Sequence, residues 1–581
     1  MGSLRSVSTV VLFLGLSVSP VYAGVAPKNP DTLIALDNSE LDSVDPAWAN
    51  VYLTMNLVAN IYEPLIALKG GSIAEFEPRL ATAVPSRENG LISSDCRVYR
   101  FPIRKGVKFH DGTGMAPADV RYSLLRFLLT DPLDSPAGKL LREVLGTYST
   151  RGRDGRLKSD MFRRADRAVR VEGDSLVVTL EQPSGTFLAN VAAAPVVMSR
   201  RWAAAQGAWD GSGSTWARYN NPRREENPLQ EKENGTGPFR LERIDRVGRA
   251  VHLARFDGYW RAPARLKRVV VKAVEEFSTR KLMLQAGDAD VIVAGNSDLS
   301  QLQGIEGVEV ISGLKLFEIN PMVYFNMDVS TTANPFIGSG RLDGKGIPPD
   351  FFSDRDVRQG FAYAMDYDSL VRDFLRGRGE KARSIIPKGV PGYDDQAPAY
   401  RFDPEKARAH FQKAFGGRVW EHGFHLVLSY VSKDIPCQIL KKEVEALNPK
   451  FKIDARRLEW YAYSEHFHHH RLPLWFASVD SNSPNPNDFA YYLLHSESLR
   501  LGYNNPEADR LIEKAATSAD PVERAALYRR IQRIAFEDVP VIPVAQQETS
   551  RVQRSWVKGY VFNPAYPGAP HRSDYYALWK E

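Results

Sequence analysis

Strand-like runs alternate with capped amphipathic helices along the whole chain, and that alternation restricts it to the α/β class. Residues 97–104 alternate, with Tyr99, Phe101 and Ile103 on one strand face. Lys105-Gly106 and Asp111-Gly112 are turn signals, and Gly112 is expected at positive φ. Pro117 opens a helix with Val120, Leu124, Phe127 and Leu128 on one side, as in a helix docked on a sheet. Thr279 precedes an apolar helix ended by Gly287, and residues 290–293 resume as a strand. Asp403-Pro404 and Asp520-Pro521 are helix starts in which Asp caps and Pro takes the first helical position. Glu523 is expected to complete a capping box there. Leu527, Ile531, Ile534 and Ala535 form the buried stripe of that helix. Residues 149–167 and 220–234 read as charged surface loops.

The 581 residues exceed what one hydrophobic core usually serves, so two or three structural units are expected. Apolar residues at 43% and charged residues at 25% describe an ordinary globular protein. The 76 Lys and Arg against 70 Asp and Glu leave a net charge of +6 with no dense basic stretch, which argues against nucleic-acid binding. Arg5, the apolar run from Val7 to Val18 and the small residues Val21 and Ala23 form a secretory signal peptide, with cleavage expected after Ala23. That run is shorter than the roughly 20 residues a membrane span needs. With no Cys at the cleavage site, a free periplasmic protein is expected rather than a lipid-anchored one. Cys96 and Cys437 are too far apart in sequence to form a metal motif together, and two separate buried thiols are expected.

Several segments, in order, carry a family resemblance. They are the run from Ile61 to Leu65, the run from Tyr99 to Gly112 followed by Ala118-Asp119-Val120, and the turn from Gly235 to Phe239. Asp257 to Trp260, Leu284 to Asp290, Asp356 to Gln359 with Ala362 to Asp366, Tyr503 to Asp509, and Pro540 to Pro543 complete the series. Together the chain resembles the family 5 extracellular solute-binding proteins, the oligopeptide and dipeptide binders of ABC importers. The resemblance implies a two-lobed, type II periplasmic-binding-protein-like fold that closes on its ligand by hinge motion. It implies a first lobe from residues 24–60, 220–300 and 545–581, an inserted subdomain at 61–219, and a second lobe at 301–544.

The same resemblance implies peptide capture, delivery to permease subunits in the inner membrane, a monomer and no cofactor. In peptide-binding members a second-lobe Asp four residues before a Pro holds the ligand's amine, by a charge-assisted bond. Asp480, before Pro484, has that spacing, and a shifted alignment puts Asn482 in its place. Ala477 stands where members often carry Trp, with Trp475 just upstream. Arg383, before Ile386-Pro387, is a candidate carboxylate partner or else a solvated surface residue, and Tyr62 and Trp475 are candidates to line the cleft or else to pack in the core. His466 and His470 would share a helix face, but a solvent-facing helix is the expected role and no metal site is assigned. Two alternatives stay open. One is a non-peptide cargo such as a nickel chelate, haem, glutathione, an opine or an oligosaccharide. The other is a secreted hydrolase, although no His-Glu-x-x-His, Gly-x-Ser-x-Gly or phosphate-loop spacing occurs.

Overall fold

The computed structural model describes residues 27–581 except 133–134, 153–154, 432–433, 482, 499–500, 519 and 566–572. The signal-peptide reading therefore lies outside the described residues. Two large sheets carry the architecture. In the first, the order is Val308–Lys315, Ala545–Arg554, Val291–Ile292, Thr32–Asp37, Arg268–Ala273, Ala250–Arg255 and Phe239–Asp245. Its central strand, Thr32–Asp37, runs parallel to both neighbours. Val269, Val271 and Ala273 alternate into the core, as a half-buried strand requires.

The second sheet has the order Phe451–Arg457, Phe424–Tyr430, Leu474–Asp480, Glu318–Phe325 and Val541–Pro543. Its first three strands are parallel, so each link must cross over the sheet. Helices Ile435–Leu447 and Trp460–His468 provide those crossovers. Phe351, Phe361, Phe411, Phe424 and Phe451 pack into one cluster beneath the sheet. The chain passes between the lobes at residues 316–317 and again at 544, between the strand ends of the two sheets. Gln546 ties both passages together: its amide donates to Leu316 O and Lys388 O and accepts from Lys388 N.

A three-stranded antiparallel sheet of Val98–Pro102, Ser175–Thr179 and Val169–Glu172 forms the inserted subdomain. Tyr99, Phe101 and Ile103 are buried, as their alternation predicts. Helix Pro117–Thr130 packs on this unit and is pinned to the first lobe by a buried two-point ion pair, Arg126 to Asp45, at 2.7 and 2.5 Å. A single hydrophobic cluster runs through insertion and first lobe, so the two are one packed body, whereas the second lobe has its own clusters.

Some sequence expectations shift. Strand Val308–Lys315 pairs inside the first-lobe sheet, which moves the start of the second lobe from 301 to about 318. The helix expected after Thr279 begins at Phe277. Asp520 caps its helix through Val522 N, but Glu523 accepts from Ser518 Oγ instead of closing a capping box. Residues 149–167 are not all loop, since helix Met161–Ala168 begins there and buries Met161 and Ala165. Cys437 is a buried free thiol whose proton is held more tightly by burial, whereas Cys96 is free but only half-buried, beside Arg87.

Candidate ligand cleft between the lobes

The last residue of strand Leu474–Asp480 lies opposite the first residue of Glu318–Phe325 in an antiparallel pairing. Register alone therefore sets two carboxylates side by side, Asp480 and Glu318. Tyr52, the first residue of helix Tyr52–Ile61, crosses from the first lobe and donates its hydroxyl to Asp480 Oδ2 at 2.7 Å. Asn320 donates to Glu318 Oε1 at 2.9 Å. Two cavities of about 480 and 510 Å³ meet at Asp480, sharing Trp460 and Ser478 on their walls. The larger has Tyr52, Met55, Lys139 and Val196 on the first-lobe side, so it is a gap between the lobes.

Asp480 is exposed to the cleft space, while the protein packed around it displaces part of its hydration. That desolvation raises its pKa, against the bond from Tyr52 and the charge of Lys139. Glu318 is pushed up to about 7, first by desolvation and then by the neighbouring Asp480 charge. Two carboxylates so placed share a shortage of positive charge, which an amine entering the cleft would relieve. Across the cleft mouth Lys139 binds Asp488 at 2.6 Å and Ser481 Oγ at 3.1 Å, and Tyr148 stacks on Tyr491 at 4.2 Å between centroids. These contacts join first lobe and second lobe in the closed arrangement.

The sequence-predicted residues separate. Asp480 stands at the junction of the two cavities. Trp475 is 1% exposed, stacked on Tyr324 with rings 3° from parallel, and forms part of the wall of the 480 Å³ cavity. Tyr62 is not at the cleft: it is wholly buried in the first-lobe core, because helix Tyr52–Ile61 ends there and turns it inward. Arg383 is away from the cleft as well, in the solvated position that is the other reading of this residue. It sits on the second-lobe surface, bonded to Ala397 O, beside a separate small hollow with Tyr400 and Phe536. Asn482 lies outside the described residues. His466 packs edge-on to Phe336, and His470 falls beyond the helix end at φ 55°, so the two do not form a helical i, i+4 pair. Among the described residues no group of three or more His, Cys, Asp or Glu is placed to hold a metal ion. Glu318, Tyr52 and Lys139 went unread in the sequence. Only strand register and lobe closure bring them to Asp480.

A sequence model of the bacterial extracellular solute-binding proteins, family 5 Middle, matches residues 75–499. The chain belongs to this family. As a family 5 protein it has the type II periplasmic-binding-protein fold that its solved neighbours share. Heme-binding protein A of Haemophilus influenzae is 26% identical over 87% of this chain and 85% of its own. The dipeptide-binding protein of Escherichia coli K12 is 24% identical over 97% of each. The ABC transporter-associated periplasmic binding protein DppA of Helicobacter pylori, in complex with the peptide STSA, matches with a TM-score of 0.72 at 23% identity, covering 95% of this chain and 98% of that one. A dipeptide-binding protein from Pseudoalteromonas sp. SM9913, in complex with Met-Leu, gives a TM-score of 0.72 at 21% identity, covering 95% and 100%.

Proposed function

We propose that this family 5 solute-binding protein captures short peptides with a free amino terminus between its lobes, and delivers them unaltered to the permease of an ABC importer. It acts in the periplasm as a monomer, after loss of the segment ending at Ala23. The observation that carries the reading is Asp480, set beside Glu318 by strand register, at the junction of the interlobe gap and a second-lobe cavity. A peptide ammonium there gains a charge-assisted bond from Asp480 and displaces Tyr52 or shares it. Aromatic walls and space for water suit side chains of varied shape. The peptide-complexed solved structures and the dipeptide-binding relative support the same cargo.

A second reading, haem, has one observation in its favour, the 26% identity to a heme-binding protein. The paired carboxylates oppose it, because haem propionates would meet like charge. The test compares free-amine and N-acetylated peptides on the wild type and on Asp480→Ala by calorimetry. The substitution should cost the free-amine peptide at least tenfold in affinity and the acetylated one little. Equal losses for both would remove Asp480 from the role of amine anchor, and tight haem binding with no peptide binding would replace the reading.

A further inference from the structure

Beside the main cleft lies a smaller chamber of about 250 Å³, walled by the inserted subdomain on one side and by the second lobe on the other. It adjoins the 510 Å³ cavity through Lys139, Asn190 and Ser483. Three residues of its walls each carry a polar atom shut off from solvent without a hydrogen-bond partner: Glu143 Oε2, Asn487 Oδ1 and Ser483 Oγ. Ser483 is only 2% exposed. Glu143 is held from behind, its Oε1 accepting from Ser184 Oγ at 2.6 Å and Thr186 Oγ1 at 2.8 Å. Asn190 is near enough to the same carboxylate to lower its pKa as a hydrogen-bond partner, although Oε2 meets no donor in good hydrogen-bond geometry. Buried carboxylate oxygens are costly to leave so, and this cost is what a bound donor removes.

The opposite charges are present too. Arg142 and Arg524 reach the same chamber and form no ion pair among the described residues. Arg524 Nη1 comes so near Gly185 that a Cβ there would lie 2.6 Å away, so it reaches between the two hydroxyl residues that hold Glu143. Lys139 and Asp488 also face the chamber, but they neutralise each other.

Resting on the peptide-binding reading above, we infer that this chamber is a second ligand subsite that takes the zwitterionic end of a peptide terminating in a cationic residue. Glu143 and Asn487 receive the side-chain ammonium, and Arg142 and Arg524 receive the terminal carboxylate. Ser483 marks the distance. It is three residues from Asp480, and three residues of chain span at most about 10 Å. A ligand with its amine at Asp480 is therefore long enough for its fourth residue to reach the chamber.

Calorimetry at pH 7.5 on the protein from residue 24 onward tests this with Ala-Ala-Ala-Lys, Ala-Ala-Ala-norleucine and Ala-Lys. The wild type should bind the lysine tetrapeptide about tenfold more tightly than its norleucine isostere, a difference of about 1.4 kcal/mol. Glu143→Gln should abolish that preference and leave norleucine-peptide affinity within twofold, because Gln still accepts from Ser184 and Thr186. Equal wild-type affinity for the two tetrapeptides overturns the inference without any variant, so a misfolded Glu143→Gln cannot rescue it. A lysine preference that survives Glu143→Gln also overturns it, while peptide binding itself stands. If no peptide binds at all, the inference falls together with the reading it rests on.

Discussion

Glu318 shows how one residue can make affinity depend on pH. Its folded pKa of about 7 lies above the ordinary glutamate value, so near neutrality a fraction of it holds a proton. An arriving ammonium favours the ionised form and expels that proton. Peptide affinity should therefore rise from pH 5 through 7 and fall again above about 8, where the peptide's own amine loses its proton. At pH 6.5 the measured binding enthalpy should vary with the ionisation enthalpy of the buffer. Glu318→Gln should remove that buffer dependence, and its persistence would assign the proton elsewhere. Gly235 illustrates a different single-residue constraint. A Cβ there would sit 2.1 Å from Ile61 O, a backbone atom that cannot swing aside. Gly235→Ala should cost about 1–3 kcal/mol, the usual penalty for overpacking, read as a lower denaturant midpoint. The reason is close approach, since Gly235 has no positive φ, whereas Gly112 does, at 84°.

At the level of elements, helix Pro117–Thr130 depends on a partner far from it in sequence. Arg126 is 6% and Asp45 0% exposed at the side chain, and Asp45 also caps the turn Pro46–Trp48 through Ala47 N. Arg126→Met leaves a buried carboxylate without its cation, which should destabilise the first lobe by about 3–5 kcal/mol. Replacing both residues by apolar ones of like size should recover much of that loss in the same unfolding measurement. Helix Pro521–Asp538 gives a milder case: Asp520→Ala removes one cap bond and should cost about 1 kcal/mol.

For the whole molecule the question is what holds two lobes together across a gap. Two chain passages allow a hinge, beside which Gly379–Lys381 pairs with Ala545–Gln547, and the contacts that close the cleft include Tyr52 to Asp480, Lys139 to Asp488 and Ser481, and Tyr148 on Tyr491. Lys139 is partly exposed, so its ion pair is a modest latch rather than a clamp. Lys139→Ala with Tyr148→Ala should enlarge the radius of gyration of the ligand-free protein in small-angle scattering and raise the rate of ligand release. Unchanged scattering would mean that the hinge itself sets closure.

Much of the architecture was readable from the residues alone, because alternation, helix starts and turns are settled within about ten residues by sterics and backbone hydrogen bonding. The strand at Tyr99, the helix at Pro117, the Asp caps at 403 and 520 and the ordered family segments all belong to that local physics. The cleft was legible only at Asp480 and Trp475. Glu318 reaches Asp480 through strand register, Tyr52 through a contact spanning 428 residues, and Tyr62 turned inward where a helix ended. Those outcomes depend on how separate lobes pack and which buried charges then lack water. No short window of sequence encodes that balance, so the tertiary structure decided it.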